Sequence, residues 1–340
     1  SPTERLRIDS SGRLLLGTTS ARTNFDNGTV SSNFFQIERT TTAGNAALSI
    51  CANATNATVG SVLYIGRTRA TSTGGTTAVQ DGDLLGRLSF QGADGTQLVE
   101  AASITSEVKG TPGANDMPGM LAFNTTADGG IAPTERMQLD SSGRLLIGTA
   151  TARTAWFNSV IGSNLLQVER AGNGADTSIS ITANSGTSSP GSTGALLLLG
   201  KTRGTSVGST TVVANDDCLG RVSYQGSDGT QQVEAAKIEG QVDASPGAND
   251  MPGRLVFFTT ANGASTSTQR MQIDSSGRLL VGTTSNRSSS ALQVEGTTFA
   301  TSRLSLTQNS TTANAGATLK LVKSRGTSNG SFTSVSDDDR

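Results

Sequence analysis

The chain has 340 residues and no histidine, which excludes Ser-His-Asp and Cys-His nucleophile pairs and imidazole-bound zinc. Two cysteines are too few for a four-thiolate metal site, and a net charge of −1 lacks the basic surplus of a protein that lives on phosphate backbones. Leu, Ile, Val and Phe make up about 21% of the residues and glycine about 12%, so the few bulky side chains must be placed periodically and other chains must help to bury them.

The first predicted element is a hairpin. Arg5-Leu6-Arg7-Ile8 alternates, Asp9-Ser10-Ser11-Gly12 turns, and Arg13-Leu14-Leu15-Leu16 continues; Asp and Ser cap the backbone locally and Gly reaches positive φ. A divergent stretch follows from Thr18 to Gln36 and holds Phe25 and Phe34. Its counterpart, Thr149 to Gln167, holds Trp156 and Phe157, and the third version, Thr283 to Gln293, is short and has no aromatic. Phe25, Trp156 and Phe157 are the candidate surface-recognition residues, because variable loops on a fixed scaffold are where binding surfaces are built. The same aromatics have a plainer use as plugs of a small local core.

Beyond the loop comes a strand, Phe35-Gln-Ile-Glu-Arg39, matched by Leu166–Arg170 and Leu292–Glu295. Leu48 and Ile50, Ile179 and Ile181, and Leu304 and Leu306 show the two-residue step of further strands. Gly60–Arg69 matches Gly194–Arg203 and Gly316–Arg325. Asp94-Gly95 and Asp228-Gly229 predict a second hairpin. The longest predicted strand is Gln97 to Val108, with Leu98, Ala102, Ile104 and Val108 on one parity.

The opening hairpin phrase returns at Glu135–Thr149 and Gln269–Thr283, at intervals of 131 and 134 residues. The expected organisation is therefore repeat 1 at 1–134, repeat 2 at 135–268 and a partial repeat 3 at 269–340, a slice of a longer array. Such a period exceeds the usual solenoid unit of about 20–50 residues, so each repeat holds several hairpins. No apolar stripe of helical period exceeds two turns, and very little helix is expected. The longest pure apolar run, Ala195–Leu199, is far short of the roughly 20 residues that span a membrane. Exposed strand edges need covering, and a symmetric oligomer around one axis covers them.

Acidic clusters at Asp81/Asp83, Asp216/Asp217 and Asp337–Asp339 invite a calcium reading, but they lack the EF-hand spacing and read as solvated turns. Glu100, Glu107, Glu234 and Glu239 are candidates for a glycoside-cleaving pair; the scarcity of aromatic platforms argues against it, and the expectation is no enzyme, no metal and no cofactor. There are 21 arginines and 5 lysines. Arg13, Arg144 and Arg278 follow the turn, and Arg5, Arg136 and Arg270 precede it. They are expected either to fork onto Asp9, Asp140 and Asp274, or onto Glu38, Glu169 and Glu295, between chains, or to stand as exposed charge. Cys51 and Cys218 read as small buried fillers.

The phrases SPTERLRIDSSGRLLLGT and NDMPG…LVFFTTANGAS…QRMQIDSSGRLLVGT resemble the repeated shaft modules of bacteriophage tail fibres, above all those of marine phages that infect cyanobacteria. The signature covers Glu4–Thr18, Asp116–Thr149 and Asp250–Thr283. The resemblance implies an all-β, elongated homotrimeric fibre of repeated β-hairpin modules, of β-prism or triple β-helix type. It implies a place on the virion tail or another surface appendage, and a shaft presenting a host-receptor-binding end. The implied partners are two further copies of the chain, other virion proteins, and a host cell-surface glycan or protein, with no nucleic acid and no membrane insertion. A bacterial surface adhesin filament and a polysaccharide-cleaving tailspike are the alternatives.

Overall fold

The computed structural model describes residues 4–22, 24–26, 33–39, 45–156, 160–161, 164–172, 176–184, 194–296 and 304–305. Among them every regular element is a β-strand. In chain order they are β1 (Leu6–Ile8), β2 (Leu14–Leu16), β3 (Phe35–Ile37), β4 (Leu84–Ala93), β5 (Leu98–Val108), β6 (Gly119–Thr125), β7 (Thr134–Leu139) and β8 (Leu145–Ile147). Then come β9 (Ala155–Trp156), β10 (Val160–Ile161), β11 (Leu166–Val168), β12 (Cys218–Ser227), β13 (Gln232–Val242), β14 (Gly253–Thr260), β15 (Ser267–Ile273), β16 (Leu279–Val281) and β17 (Leu292–Val294).

The chain forms two units, Ser1–Trp156 with Val160–Ala195, and Phe157–Ser159 with Leu196–Arg340. The first holds a three-stranded sheet β1-β2-β3, a six-stranded sheet β11-β8-β7-β6-β5-β4 and the pair β10-β9. The second holds a six-stranded sheet in the order β12 to β17. Both large sheets are antiparallel except for the last pair, β8–β11 or β16–β17, which is parallel. The small sheet repeats that ending, with β2 and β3 parallel. The first large sheet runs from Leu84 to Val168, across the 134/135 boundary between sequence repeats.

The recurring turn forms as its residues dictate. Gly12 N donates to Asp9 O at 2.9 Å and Asp9 N to Arg13 O at 3.0 Å, while Gly12 takes φ +73°. Asp9 Oδ1 accepts from Ser11 N and Arg13 N at 2.9 and 3.0 Å; Asp140 and Asp274 repeat the pattern. A second glycine is needed a few residues on. Gly17, Gly148 and Gly282 hold φ of +78°, +76° and +75°, and a Cβ there would run into the carbonyl oxygens of Glu38, Glu169 and Glu295 after the parallel strand. A Gly148→Ala chain is expected to melt at a lower temperature. The left-handed backbone alone costs about 1–2 kcal/mol, and the parallel strand must shift as well. An unchanged thermal midpoint would remove this requirement.

Register sorts the side chains of each large sheet onto two faces. Leu88, Ile104, Phe123, Met137, Ile147 and Val168 stand opposite one another across the first sheet. Val222, Ile238, Phe257, Met271, Val281 and Val294 form the same row in the second. The other face carries Arg87, Thr105, Ala122, Gln138, Leu146 and Gln167, and in the second sheet Arg221, Glu239, Val256, Gln272, Leu280 and Gln293. Burial is inverted relative to an ordinary monomer. Thr105, Gln138, Gln167, Glu239, Gln272 and Gln293 are covered, whereas Leu88, Leu139 and Leu166 on the apolar side stay 50%, 46% and 53% exposed. Among the described residues, ten apolar side chains are buried against thirteen polar or charged ones.

Three sequence expectations are corrected. Ala102 pairs with Phe90 but Glu100 pairs with Gln91, so Ala101 is an extra residue and the alternation restarts there. Leu98 thereby leaves the face of Ala102 and Ile104, and Glu100 joins Ser103 and Thr105. The strands expected at Leu48/Ile50 and Ile179/Ile181 do not form either, because no neighbouring strand within the described residues meets them. Every residue of Asn45–Arg69 is exposed. Cys51 lies there, exposed rather than buried, and Cys218 is half-buried. Leu306, Gly316–Arg325 and Asp337–Asp339 lie outside the described residues.

Candidate functional site

The divergent loops start from a shared clamp that the sequence reading passed over. Gln36, Gln167 and Gln293 are buried at the centre of the parallel strands β3, β11 and β17. Gln167 Oε1 accepts from Arg153 N at 2.9 Å and its Nε2 donates to Arg153 O at 3.2 Å. Gln36 treats Arg22 the same way, at 2.9 and 3.0 Å, and Gln293 holds Arg287 N and Ser285 O at 3.0 and 3.1 Å. The side-chain amide thus stands in for a ladder strand and leaves neither end unmet, which would cost about 1–3 kcal/mol. The signal in the sequence was a glutamine recurring between two apolar residues in all three repeats. Two residues on, Glu38 and Glu169 meet Arg22 and Arg153 at 2.9 and 3.0 Å. Loops of unlike sequence are held by one device.

The candidate aromatics sit on these loops. Trp156, on β9, is half-buried; its indole N–H donates to Arg153 O at 3.1 Å, and the Arg153 guanidinium lies 5.7 Å from the ring centroid. Phe25 is half-buried between Asn24, whose O accepts from Leu98 N at 3.1 Å, and Asp26, whose N donates to Gln91 Oε1 at 3.0 Å. Phe25 and Trp156 therefore occupy separate loops, one tied to β4 and β5, the other to β9 and β10. Phe157 lies outside the described residues.

The arginines after the turn take the aspartates of the expected set, and they reach them within their own chain. Arg13, Arg144 and Arg278 reach back to Asp9, Asp140 and Asp274 at 2.7 Å each, four residues away and inside the turn. The backbone N–H of Arg13, with its guanidinium, holds the Asp9 carboxyl below its ordinary value. Arg136 and Arg270 donate to the hydroxyls of Thr125 and Thr259 at 3.0 and 2.9 Å.

The acidic turns are occupied too. Asp83 accepts both fork nitrogens of Arg69 at 2.6 and 2.8 Å and the N–H of Gln80 at 2.9 Å, with Arg67 at 3.3 Å. Asp217 meets Arg203 at 2.7 and 3.1 Å and Lys201 at 2.6 Å. The Arg69 fork, then the Gln80 N–H, hold Asp83 far below the carboxylate range, as Arg203 and Lys201 hold Asp217. A depressed carboxyl stabilises above its unfolded value, and that stability is lost as the pH falls through the acidic range. Among the described residues no three acidic or thiol side chains gather as a metal cage.

The candidate glutamates for a glycoside-cleaving pair lie on the covered face. Glu100 meets Arg87 at 3.0 Å. Glu234 accepts from Ser223 and Ser267 at 2.7 and 2.8 Å, and Glu239 from Arg221 and Lys237 at 2.7 and 2.9 Å. Lys237 and Glu239 stand where the first unit has Ser103 and Thr105: two hydroxyls are replaced by a charge pair at 2.9 Å, so neither charge is buried alone.

One position separates the two units by protonation. In the second, Gln269 Nε2 donates to Gln272 Oε1 at 2.8 Å. In the first the matching residues are Glu135 and Gln138, and the buried Gln138 Oε1 has no hydrogen-bond partner. Burial raises the Glu135 carboxyl, Glu107 adds to this, and Lys109 opposes it. A raised acid binds its proton more tightly when folded, so this site loses stability as the pH rises through the carboxylate range. Glu135→Gln restores a permanent donor. It is expected to gain about 1 kcal/mol at pH 7 and less at pH 4, measured by urea unfolding at both values. A gain independent of pH would show that the carboxyl does not titrate there.

No family model matches the chain, and no curated protein matches it. Among the solved structures that share its fold are two of the carboxy-terminal domain of the bacteriophage T5 L-shaped tail fibre. The one that includes the intramolecular chaperone domain has a TM-score of 0.56 at 15% identity, covering 82% of this chain and 72% of that one. The other has a TM-score of 0.54 at 14% identity, covering 83% and 99%. At such identity the likeness is one of architecture, and it is specific in kind: the chain has an all-β, phage tail-fibre-like fold.

Proposed function

We propose that the chain is a length of phage tail-fibre shaft, that it works as a homotrimer joined to other virion proteins, and that it holds a host-receptor-binding end away from the particle. One observation carries the reading. On a tail-fibre-like fold, the same six-residue apolar row recurs in both units, and none of its members is fully buried within its own chain: Leu88, Ile147 and Val222 are exposed and the rest are half-buried. Monomers rarely expose apolar faces of that extent. Identical chains around one axis present identical faces to each other, which closes them without further design. The work is mechanical, and the engagement of Glu100, Glu234 and Glu239 by basic and hydroxyl groups supports a non-enzymatic role. The clamped loops bearing Phe25 and Trp156, with Phe157 next in sequence to Trp156, are the candidate contacts for a host glycan or protein. A marine cyanobacterial host rests on the sequence signature.

Antibodies against the chain are expected to label tail appendages of the encoding phage under the electron microscope. Labelling of a bacterial surface instead would favour the adhesin filament. Steady release of reducing sugar from host capsule would favour the tailspike.

A further inference from the structure

We infer that the covered face of the first large sheet holds a calcium site, made by the Glu135 carboxylate and the Gln138 amide oxygen, with Glu107 as the second carboxylate. The pairing register puts all three on one face. Thr105, Ala122 and Gln138 stand in a row across β5, β6 and β7. Glu107 lies two residues beyond Thr105 on the same strand. On β7 the register skips Arg136, since Phe123 pairs with Met137 and Asn124 with Glu135, and this brings Glu135 round to the side of Gln138. Between the two acids the floor is the small Ala122, where the second sheet has the larger Val256.

Gln138 has an oxygen with nothing to accept from. The residue is 2% exposed and its Oε1 has no hydrogen-bond partner, a condition that buried acceptors seldom tolerate. Its Nε2 is committed to Ala150 O at 3.0 Å, which turns the oxygen toward residue 135. The second sheet shows what satisfies that oxygen: Gln269 Nε2 donates to Gln272 Oε1 at 2.8 Å. In the first sheet a carboxylate replaces the donor, so two acceptors face one another. Turning the Gln138 amide over moves the conflict to Ala150 O without ending it. A positive group between the two oxygens ends it.

The surrounding charges call for a cation as well. In the second sheet Gln241 Oε1 accepts from Arg254 Nε and Nη2 at 2.9 and 2.8 Å. The matching cross-strand pair in the first sheet is Glu107 with Met120. A resident guanidinium is therefore absent, and carboxylates stand where Gln241 and Gln269 are amides. Among the described residues neither Glu107 nor Glu135 has an ion-pair partner. Burial and then the Glu107 charge raise the Glu135 carboxyl, while the exposed Lys109 offsets part of this. A proton neutralises one carboxylate, whereas a divalent ion answers both and the amide oxygen too. Calcium accepts carboxylate and side-chain amide oxygens in flexible geometry and completes its shell with water. Magnesium demands a stricter octahedron and sheds water reluctantly, so it fits less well.

Isothermal titration and thermal unfolding of the full chain, first stripped with chelator and then given calcium chloride, test this. The expected result is one ion per chain with a Kd on the order of 0.1–1 mM, the range of extracellular calcium modules. Magnesium is expected to bind more weakly, and calcium to raise the thermal midpoint of the parent. Glu135→Gln installs the residue of the second sheet. It and Glu107→Gln are each expected to weaken calcium binding by at least about tenfold and to leave midpoints that no longer respond to the ion. Binding that survives either substitution unchanged would overturn the inference. So would a parent that binds no calcium, and a midpoint falling as the pH rises through the carboxylate range would then assign the gap to a proton. The site lies within one sheet of one chain, so these outcomes are separate from the test of the shaft reading.

Discussion

A Leu121→Asp chain is expected to keep its sheets and lose its assembly. Leu121 stands in β6 between Ser106 and Leu139 on the apolar side and is 39% exposed. In the single chain the new carboxylate reaches water, where a surface change usually matters by less than about 0.5 kcal/mol. In a trimer each copy loses about 1.5–3 kcal/mol of leucine burial, and three carboxylates gather around one axis. Over three chains the burial alone amounts to at least about 4.5 kcal/mol, roughly a thousandfold in the association constant. Light scattering across a dilution series reads the assembly, and far-ultraviolet circular dichroism reads the sheets. A Leu121→Asp trimer that survives the same dilution as the parent would mean that the chains meet elsewhere.

The second large effect lies on the opposite face. Leu146 is fully buried in β8, between Gln138 and Gln167. Cutting it to alanine leaves a hole under the loop whose Ala150 O accepts from Gln138 Nε2 at 3.0 Å. Leu146→Ala is expected to cost about 2–5 kcal/mol, read by urea unfolding in the Leu121→Asp background so that assembly does not mask it. Leu139→Ala, whose side chain already meets water, is expected to cost clearly less there. Equal losses would show that the two faces do not differ in the way the register assigns.

These two leucines also mark where the sequence was readable. The Asp9-Ser10-Ser11-Gly12 turn, the Asp94-Gly95 hairpin and the long strand ending at Val108 follow from local chemistry, and each forms. Which face is inside did not follow from local chemistry. Simple alternation puts leucine inward; the extra residue at Ala101 and the loop folded over Gln138 reverse this, and neither has a local signature beyond a recurring glutamine. The parallel pairing of Leu166–Val168 with β8 was hidden as well, because a loop of variable length separates the partners. At Leu48/Ile50 the alternation is present, yet a strand exists only where something pairs with it, and no described strand of the chain does. For the candidate site, Phe25 and Trp156 were visible as aromatics in loops, but the Gln36 and Gln167 clamps that position those loops were not.

The native methionines report the central claim without any substitution. Met137 and Met271 lie in the apolar rows and are half-buried in the single chain, Met117 and Met251 are 55% and 54% exposed, and Met120 is buried. Peroxide oxidation of the intact protein, followed by peptide mass spectrometry, compares all five at once. If neighbouring chains cover the rows, Met137 and Met271 resist oxidation as Met120 does, and they become reactive in the Leu121→Asp chain. Oxidation of Met137 and Met271 at a rate approaching that of Met117 and Met251 in the intact particle would contradict the account.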